Sequence, residues 1–329
     1  MRKFLFLSLV ILFLFTPLFT LQAQISNLDA TYRFLNIPTS PRTAALGGNH
    51  VSLPNSDVSL FLLNPAYLSG NHHGQLALSY LNHLADVNMG FASGAFHHDE
   101  LGTFGIGFRF VGYGEMIQTN AIGEELGTFT ANDFAMNLGY ARQIQDQLTA
   151  GVAFQFIHSS YHTFRSTGLA ISAGLHYTFD DEQTWAGVSF GNLGRQVNYF
   201  DEQREDLPFD LRTSITRQLT YLPLRLSATA HSLTQWEMPS FNDEQTPRFA
   251  DHLFRHLIIG GEFLFSENFH VRLGYNHFLH EELRSDARID LGGASIGVGI
   301  QLRGFQFDIS RNSYSDIGRL TQLGIQYQL

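Results

Sequence analysis

The sequence contains no cysteine. That excludes disulfide staples, thiol nucleophiles and zinc–thiolate sites, and leaves hydrogen bonding and packing to carry stability. Past its first two dozen residues the chain also lacks any apolar run approaching the roughly 20 residues that a spanning helix needs. Any membrane span must therefore be a strand. Basic residues are scarce, 20 Lys and Arg against 30 Asp and Glu, and no segment carries a basic stripe. The composition therefore argues against nucleic acid as a partner. Only 2 Trp are present beside 30 Phe and 30 Gly, which suits aromatic-faced strands better than a helical bundle.

At the start, Arg2 and Lys3 precede an apolar run over residues 4–15, and Leu21-Gln22-Ala23-Gln24 reads as a small-residue cleavage site. Residues 1–23 are expected to be a signal peptide cleaved after Ala23. The run is short for an anchor and is broken by Thr16-Pro17. Removing Arg2 and Lys3 leaves 18 basic residues against 30 acidic, a net charge near −12. The remainder, about 300 residues, is long enough for one large β domain or two smaller ones.

From Gly102 onward a two-residue period is plain. Phe104, Ile106, Phe108 and Phe110 fall on one face, and Thr103, Gly105, Gly107 and Arg109 on the other, as successive strand side chains must. Similar runs recur over residues 134–141, 148–156, 169–177, 186–190, 224–230, 269–275, 294–302, 305–309 and 323–329. With weaker candidates at 76–81, 87–96, 211–219 and 257–265, about fourteen strands are predicted, an even number as in bacterial barrels. The opposing face is small or polar and includes Arg109, Asn137, Gln155, Arg212, Arg225, His231, Arg272 and Asp308.

Connections sort by strand parity. Those after even strands are short (97–101, 144–147, 180–183, 220–223, 266–268 and 303–304). Those after odd strands are mostly long (113–132, 159–167, 193–210, 234–255, 276–291 and 311–318), the first, 82–86, excepted. Short periplasmic turns with long outer loops mark a transmembrane barrel, whereas a soluble sandwich has no reason to segregate loop length. The expected fold is all-β: an antiparallel outer-membrane barrel over residues 75–329, preceded by an N-terminal plug segment over residues 24–74.

That segment lacks strand alternation but has sharp local features. Pro38-Thr39-Ser40-Pro41-Arg42 leads to Ala45-Leu46-Gly47-Gly48, and Asn64-Pro65-Ala66 suits a turn or the first turn of a short helix. Phe34-Leu35-Asn36-Ile37-Pro38, Arg42, Ala45-Leu46-Gly47-Gly48 and Asn64-Pro65-Ala66, in that order before a barrel of this size, resemble the head of FadL-like outer-membrane proteins and, within them, of the PorV/PorQ family. Asn192-Leu193-Gly194 is similar to a strand-end motif of such barrels. Residues 251–263 and 293–299 look more PorQ-like than PorV-like. The resemblance implies an outer-membrane component of the type IX secretion system of Bacteroidota, embedded in outer-membrane lipid. It would anchor a PorZ-like surface subunit that works with PorU-like and PorV-like components. On this reading Arg42, Gly47, Gly48, Asn64, Pro65 and Ala66 form the plug motif.

The long loops 193–210 and 234–255 mix charges with Tyr199, Phe200, Phe209, Trp236, Met238 and Phe241. Aromatic and Met anchors inside a polar rim suit a partner interface; packing of the loops over the barrel mouth is the competing expectation. Two other functions are open. One is FadL-like transport of a hydrophobic ligand, which needs an apolar pocket. The other is lipid hydrolysis by residues such as His158-Ser159-Ser160 with Asp308-Ile309-Ser310. His72-His73 are adjacent, as are His97-His98 in an expected tight turn, and adjacent strand side chains point to opposite faces; His252 and His256 have the i, i+4 spacing of one helical face but lack the intervening Glu of an H-E-x-x-H site and an evident third ligand. No cofactor, metal or catalytic set is identified, and the chain is not expected to be an enzyme.

Overall fold

The computed structural model describes residues 30–54, 57–83, 86–201, 203–238, 249–283, 291–314 and 318–329. Strand β3 (Gly102–Thr119) shows the physical logic of the whole. Its Phe104, Ile106 and Phe110 are exposed, while Thr103, Gly105, Gly107, Arg109 and Val111 between them are buried. Phe110 is 51% exposed and its neighbour Arg109 only 1%. Water would select the reverse. An apolar outer band around a shielded polar interior is what hydrocarbon selects when it is the outer solvent.

The other strands repeat this pattern. They are β1 (Gln75–Asn82), β2 (Asn88–His98), β4 (Glu125–Gln145), β5 (Leu148–Tyr161), β6 (Phe164–Thr178), β7 (Thr184–Asn198), β8 (Asp210–Gln218), β9 (Leu224–Ala230), β10 (Leu257–Ser266), β11 (Phe269–Asn276), β12 (Ala294–Leu302), β13 (Phe305–Ser313) and β14 (Arg319–Gln328). Each pairs antiparallel with its sequence neighbours, and β1 pairs with β14 from Gln75↔Gln328 to Asn82↔Thr321. The result is a closed fourteen-stranded barrel, as the alternation predicts. Closure leaves no edge to expose unpaired backbone to lipid.

Connections after even strands are tight: residues 99–101, 146–147, 179–183, 219–223, 267–268 and 303–304. At the opposite end, 199–209, 231–256 and 277–293 are long. Four expected loops need correction: residues 193–198 extend β7, and residues 311–313 extend β13, so that only 314–318 join it to β14. Most of residues 113–132 and 159–167 is strand: β3 and β4 remain paired from Glu115↔Thr130 to Thr119↔Glu125, and β5 and β6 to Tyr161↔Phe164. The apolar alternation stops there because the chain leaves the hydrocarbon. Pairing continues because β-prone residues such as Ile117, Thr128 and Thr130 still satisfy their backbone across the hairpin. β2 leaves β3 at Gly112 and β5 leaves β4 at Ala131, so the β3–β4 ribbon projects beyond its neighbours.

Residues 30–74 form a short helix, Pro41–Ala45, and four 3-10 turns, Arg33–Asn36, Val58–Leu62, Pro65–Tyr67 and Gly70–His72. Local chemistry sets them. Pro41 opens the helix, where its missing N–H costs nothing, and Ser40 caps it by accepting from Arg42 N at 3.2 Å. Asn64 Oδ1 accepts from Ala66 N at 3.0 Å and starts the Pro65–Tyr67 turn.

This head touches strands all the way round. Arg109 of β3 donates to the Leu35 and Leu62 carbonyls. Asn64 Nδ2 donates to Leu175 O of β6, and Ser189 of β7 donates to Leu63 O at 2.7 Å. Val51 N donates to Ser214 of β8, and His50 meets Thr229 of β9 at 2.7 Å. On the far side Ser295, Asn312 and Gln322, of β12, β13 and β14, donate to the Ala45, Ala44 and Pro38 carbonyls. A segment bonded to every quarter of a closed ring lies inside it. Two wall glycines make this possible: a Cβ built on Gly187 would sit 1.6 Å from Val51 O, and one on Gly274 would sit 2.0 Å from the Leu46 carbonyl carbon.

Charge fastens the head to one side of the barrel. Glu262 of β10 accepts from Arg42 of the head at 2.9 and 3.2 Å, from Arg272 of β11 at 2.7 Å and from Arg225 of β9 at 2.5 Å. Arg272 also pairs with Asp308 of β13. Glu262, Arg42, Arg272 and Asp308 are all fully buried. Removing one member of such a cluster leaves a buried charge unmet. Glu262→Leu is therefore expected to cost about 3–5 kcal/mol, read as a lower urea midpoint for the loss of heat-modifiable gel mobility in the refolded protein. An unchanged midpoint would show that the cluster does not hold the fold.

Candidate functional site

The long-loop end of the barrel holds a partly open cavity of about 290 Å³. Three groups of residues build it. The head supplies its floor, with Arg33, Asn36, Ile37, Gly47, Gly48 and Asn49. The strand ends supply the wall, including Leu81, Arg212, Ile258, Asn276, Leu320 and Gln322. The loops supply the cover, with His231, Met238, Phe278, Leu279, Glu282 and Tyr314. Apolar and polar groups alternate round this lining, so it suits an amphipathic occupant better than an ion.

Geometry locks most of the polar lining in place. Arg212 Nε donates to Asp210 Oδ2 at 2.6 Å, and Arg212 Nη2 donates to Asn36 Oδ1 at 3.2 Å. Asp210 Oδ1 accepts from Ser232 N at 2.7 Å. Asn276 caps the short helix His277–Glu282 by accepting from Leu279 N, and that helix carries Phe278, Leu279 and Glu282 to the cavity. Arg255 joins the two covering loops: its Nε pairs with Glu281 and its Nη1 donates to Met238 O at 3.3 Å. Burial drives the His231 imidazole down to about 4, and the Arg212 charge adds to that effect against the pull of Asp210. Burial raises the Glu282 carboxyl, opposed by Arg33.

The plug-motif residues fall in two places. Arg42 is in the charge cluster. Gly47 and Gly48 have φ of 95° and 152° and bring the head backbone against Tyr275 and Ile258 beside the cavity. Asn64, Pro65 and Ala66 lie on the opposite wall, against Gly151 and Gly174. The proposed docking residues are also divided. Phe200 stacks on Tyr161 at 4.9 Å, and Met238 is buried in the cavity cover. Trp236 stacks on His256 at 5.3 Å yet stays 44% exposed, and Tyr199 is also exposed. Phe209 is half-buried, and Phe241 lies outside the described residues.

The hydrolase candidates do not converge. His158 and Ser159 are adjacent on β5 and face opposite ways, His158 meeting Thr167 at 3.2 Å while Ser159 is buried inward. The Asp308 carboxylate is occupied by Arg272 and Gln306. Among the described residues no three His, Asp or Glu side chains gather in a metal-binding arrangement. Sequence reasoning missed Asn36, Asn49 and Glu262 as site or anchor residues. For Glu262 a signal existed: inward parity put Arg225 and Arg272 in the lumen, and buried arginines demand a carboxylate.

The fold, the inverted burial and the loop asymmetry define a transmembrane antiparallel β-barrel, and its fold is similar to that of FadL-like outer-membrane proteins. Comparison with solved structures agrees. The Ralstonia pickettii toluene transporter TbuX superposes with a TM-score of 0.56 at 13% identity, over 90% of this chain and 99% of that one. The Pseudomonas putida toluene transporter TodX gives 0.53 at 13% identity, over 86% and 95%. A Pseudomonas aeruginosa FadL homologue gives 0.50 at 12% identity, over 89% and 98%. No protein-family model matches the sequence, and no curated protein matches it. The likeness is one of fold.

The half-buried His231, whose imidazole desolvation holds neutral, makes the cover sensitive to acid. Below pH 6.5 an opened loop binds a proton that the closed one refuses until about pH 4, so the closed form loses stability as pH falls through that window. Amide exchange over residues 231–238, corrected for intrinsic rates, should rise by about tenfold or more between pH 7 and pH 4.5. Equal protection at both values would count against the closed cover.

Proposed function

We propose that this protein is an outer-membrane channel that takes a small, largely apolar molecule from the cell surface, with the cavity above the head as its binding site. The observation that carries this reading is that partly open cavity of about 290 Å³, set between the head and the covering loops at the long-loop end. Its size suits a ring-sized molecule: an apolar cavity of about 150 Å³ already accommodates benzene. TbuX and TodX are toluene transporters, and the shared fold supports extending that kind of ligand to this chain. The head then acts as a plug below the site, and onward passage requires it to shift.

The test is equilibrium binding of a panel of monoaromatic compounds to the protein in nanodiscs. At least one should bind saturably. Leu279→Trp, which fills the cavity from a loop helix outside the sheet, should weaken that binding by about tenfold or more. A panel with no saturable binding overturns the reading.

A second reading keeps the surface-anchoring role in type IX secretion that the sequence resemblance implies. The projecting β3–β4 ribbon favours it, because Ile117, Ile122 and Leu126 are exposed there beside unpaired strand edges, and such edges accept a partner strand. Purification in mild detergent should then retain a PorZ-like surface protein. Deleting residues 115–128 should release it while the barrel stays folded. Retention after the deletion sinks the ribbon as the contact.

A further inference from the structure

The outer wall is not smooth where the barrel closes. Antiparallel pairing sets the outward side chains of β2, β1, β14 and β13 in level rows. One row is Gly90, Tyr80, Leu323 and Ile309, and the next toward the short-turn end is Ala92, Leu78, Ile325 and Phe307. Phe110 and Phe108 of β3 stand beside Gly90 and Ala92 at the ends of these rows. Together they border an open apolar groove of about 750 Å³ on the lipid-facing side. The groove is deepest in side-chain terms at Gly90, where a Cβ would meet nothing within 4 Å.

The row above the groove is polar. Asn88, Asn82 and Thr321 follow one another across β2, β1 and β14, and Arg311 of β13 ends the row. It stands two residues, about 7 Å, above the row of Leu323 and Ile309. Arg319 is the next outward residue of β14 beyond Thr321, diagonal to Arg311. Diagonal neighbours lie about 7–8 Å apart, within reach of long side chains. Both arginines are exposed, and among the described residues neither pairs with a carboxylate. Asp86 in the β1–β2 turn lies beside Gly114 of β3, away from them.

Two unpaired cations over an apolar groove match the two ends of one kind of molecule. Guanidinium groups bind phosphate oxygens through charge-assisted N–H donation. A phosphomonoester carries about −1.5 to −2 at pH 7 and so balances two arginines, whereas a zwitterionic headgroup brings no net charge. We propose that this groove holds one phosphorylated lipid of the leaflet at the long-loop end, its phosphomonoester on Arg311 and Arg319 and its acyl chains in the groove below. The site lies outside the barrel and does not depend on what the cavity between head and loops binds.

Native mass spectrometry tests this, on the protein in detergent incubated with an equimolar mixture of dioleoyl phosphatidate and dioleoyl phosphatidylcholine. One phosphatidate should stay bound per barrel, in about tenfold excess over phosphatidylcholine, the scale expected for two arginines on one anionic headgroup. Arg311→Gln with Arg319→Gln should bring the two lipids to parity. Arg165→Gln with Arg195→Gln, at exposed positions of β6 and β7, should leave the excess intact. Gly90→Trp fills the groove with the arginines in place and should lower retention of both lipids by about tenfold or more; Ala92→Phe replaces it if that variant fails to fold. An excess that survives loss of Arg311 and Arg319, or that vanishes equally with the β6–β7 pair, overturns the proposal. So does retention indifferent to both groove variants, or displacement of the lipid by inorganic phosphate, which would mark a site for the anion alone.

Discussion

The carboxylate of Glu262 accepting from three arginines is the constraint on which the rest of the structure turns. Arg42 comes from the head, and Arg225 and Arg272 come from the two strands flanking Glu262. Stripping water from these groups is costly, and only their mutual pairing makes the arrangement tolerable. That pairing fixes where Arg42 must lie. The Pro41–Ala45 helix follows from it, and with the helix the line of carbonyls that Ser295 and Asn312 meet. The register of β9, β10 and β11 is tied to the same point, since a slip of one residue would turn Glu262 or its partners outward into lipid.

The opposite wall is held differently. Arg109 has carbonyls as its partners, those of Leu35 and Leu62, and its Nε stays unpaired. Asn137 and Ser159 on the neighbouring strands are likewise buried with unpaired polar atoms. The head is thus fastened by ion pairs across β9 to β13 and held across β3 to β7 by hydrogen bonds without a carboxylate partner. If the head moves at all, the physical asymmetry makes β9 to β13 the hinge side.

Much of this architecture was legible in the sequence, because a strand writes its two environments into alternate residues. Phe104, Ile106 and Phe110 against Thr103 and Arg109 announced both the strand and its inverted setting. The even-strand turns, such as Arg303-Gly304, were equally clear. The ends of β3 to β6 were not, because the alternation records the hydrocarbon and falls silent where strands enter water. The candidate cavity was hidden for another reason. Asn49, Arg212, His231 and Leu279 are far apart in the chain and meet only after the barrel closes, so no local pattern marks them. Glu262 stood between, its identity readable and its three partners not.

The contact at Gly187 and Gly274 has a consequence for assembly. There the head backbone rests directly on the wall, with no room even for a methyl group between them. The segment is fitted tightly against strands on both sides and joined to β1 at Gly74. Closing the seam between β1 and β14 and enclosing the head are therefore coupled, and the buried cluster at Glu262 ties the enclosed segment to the strands that surround it.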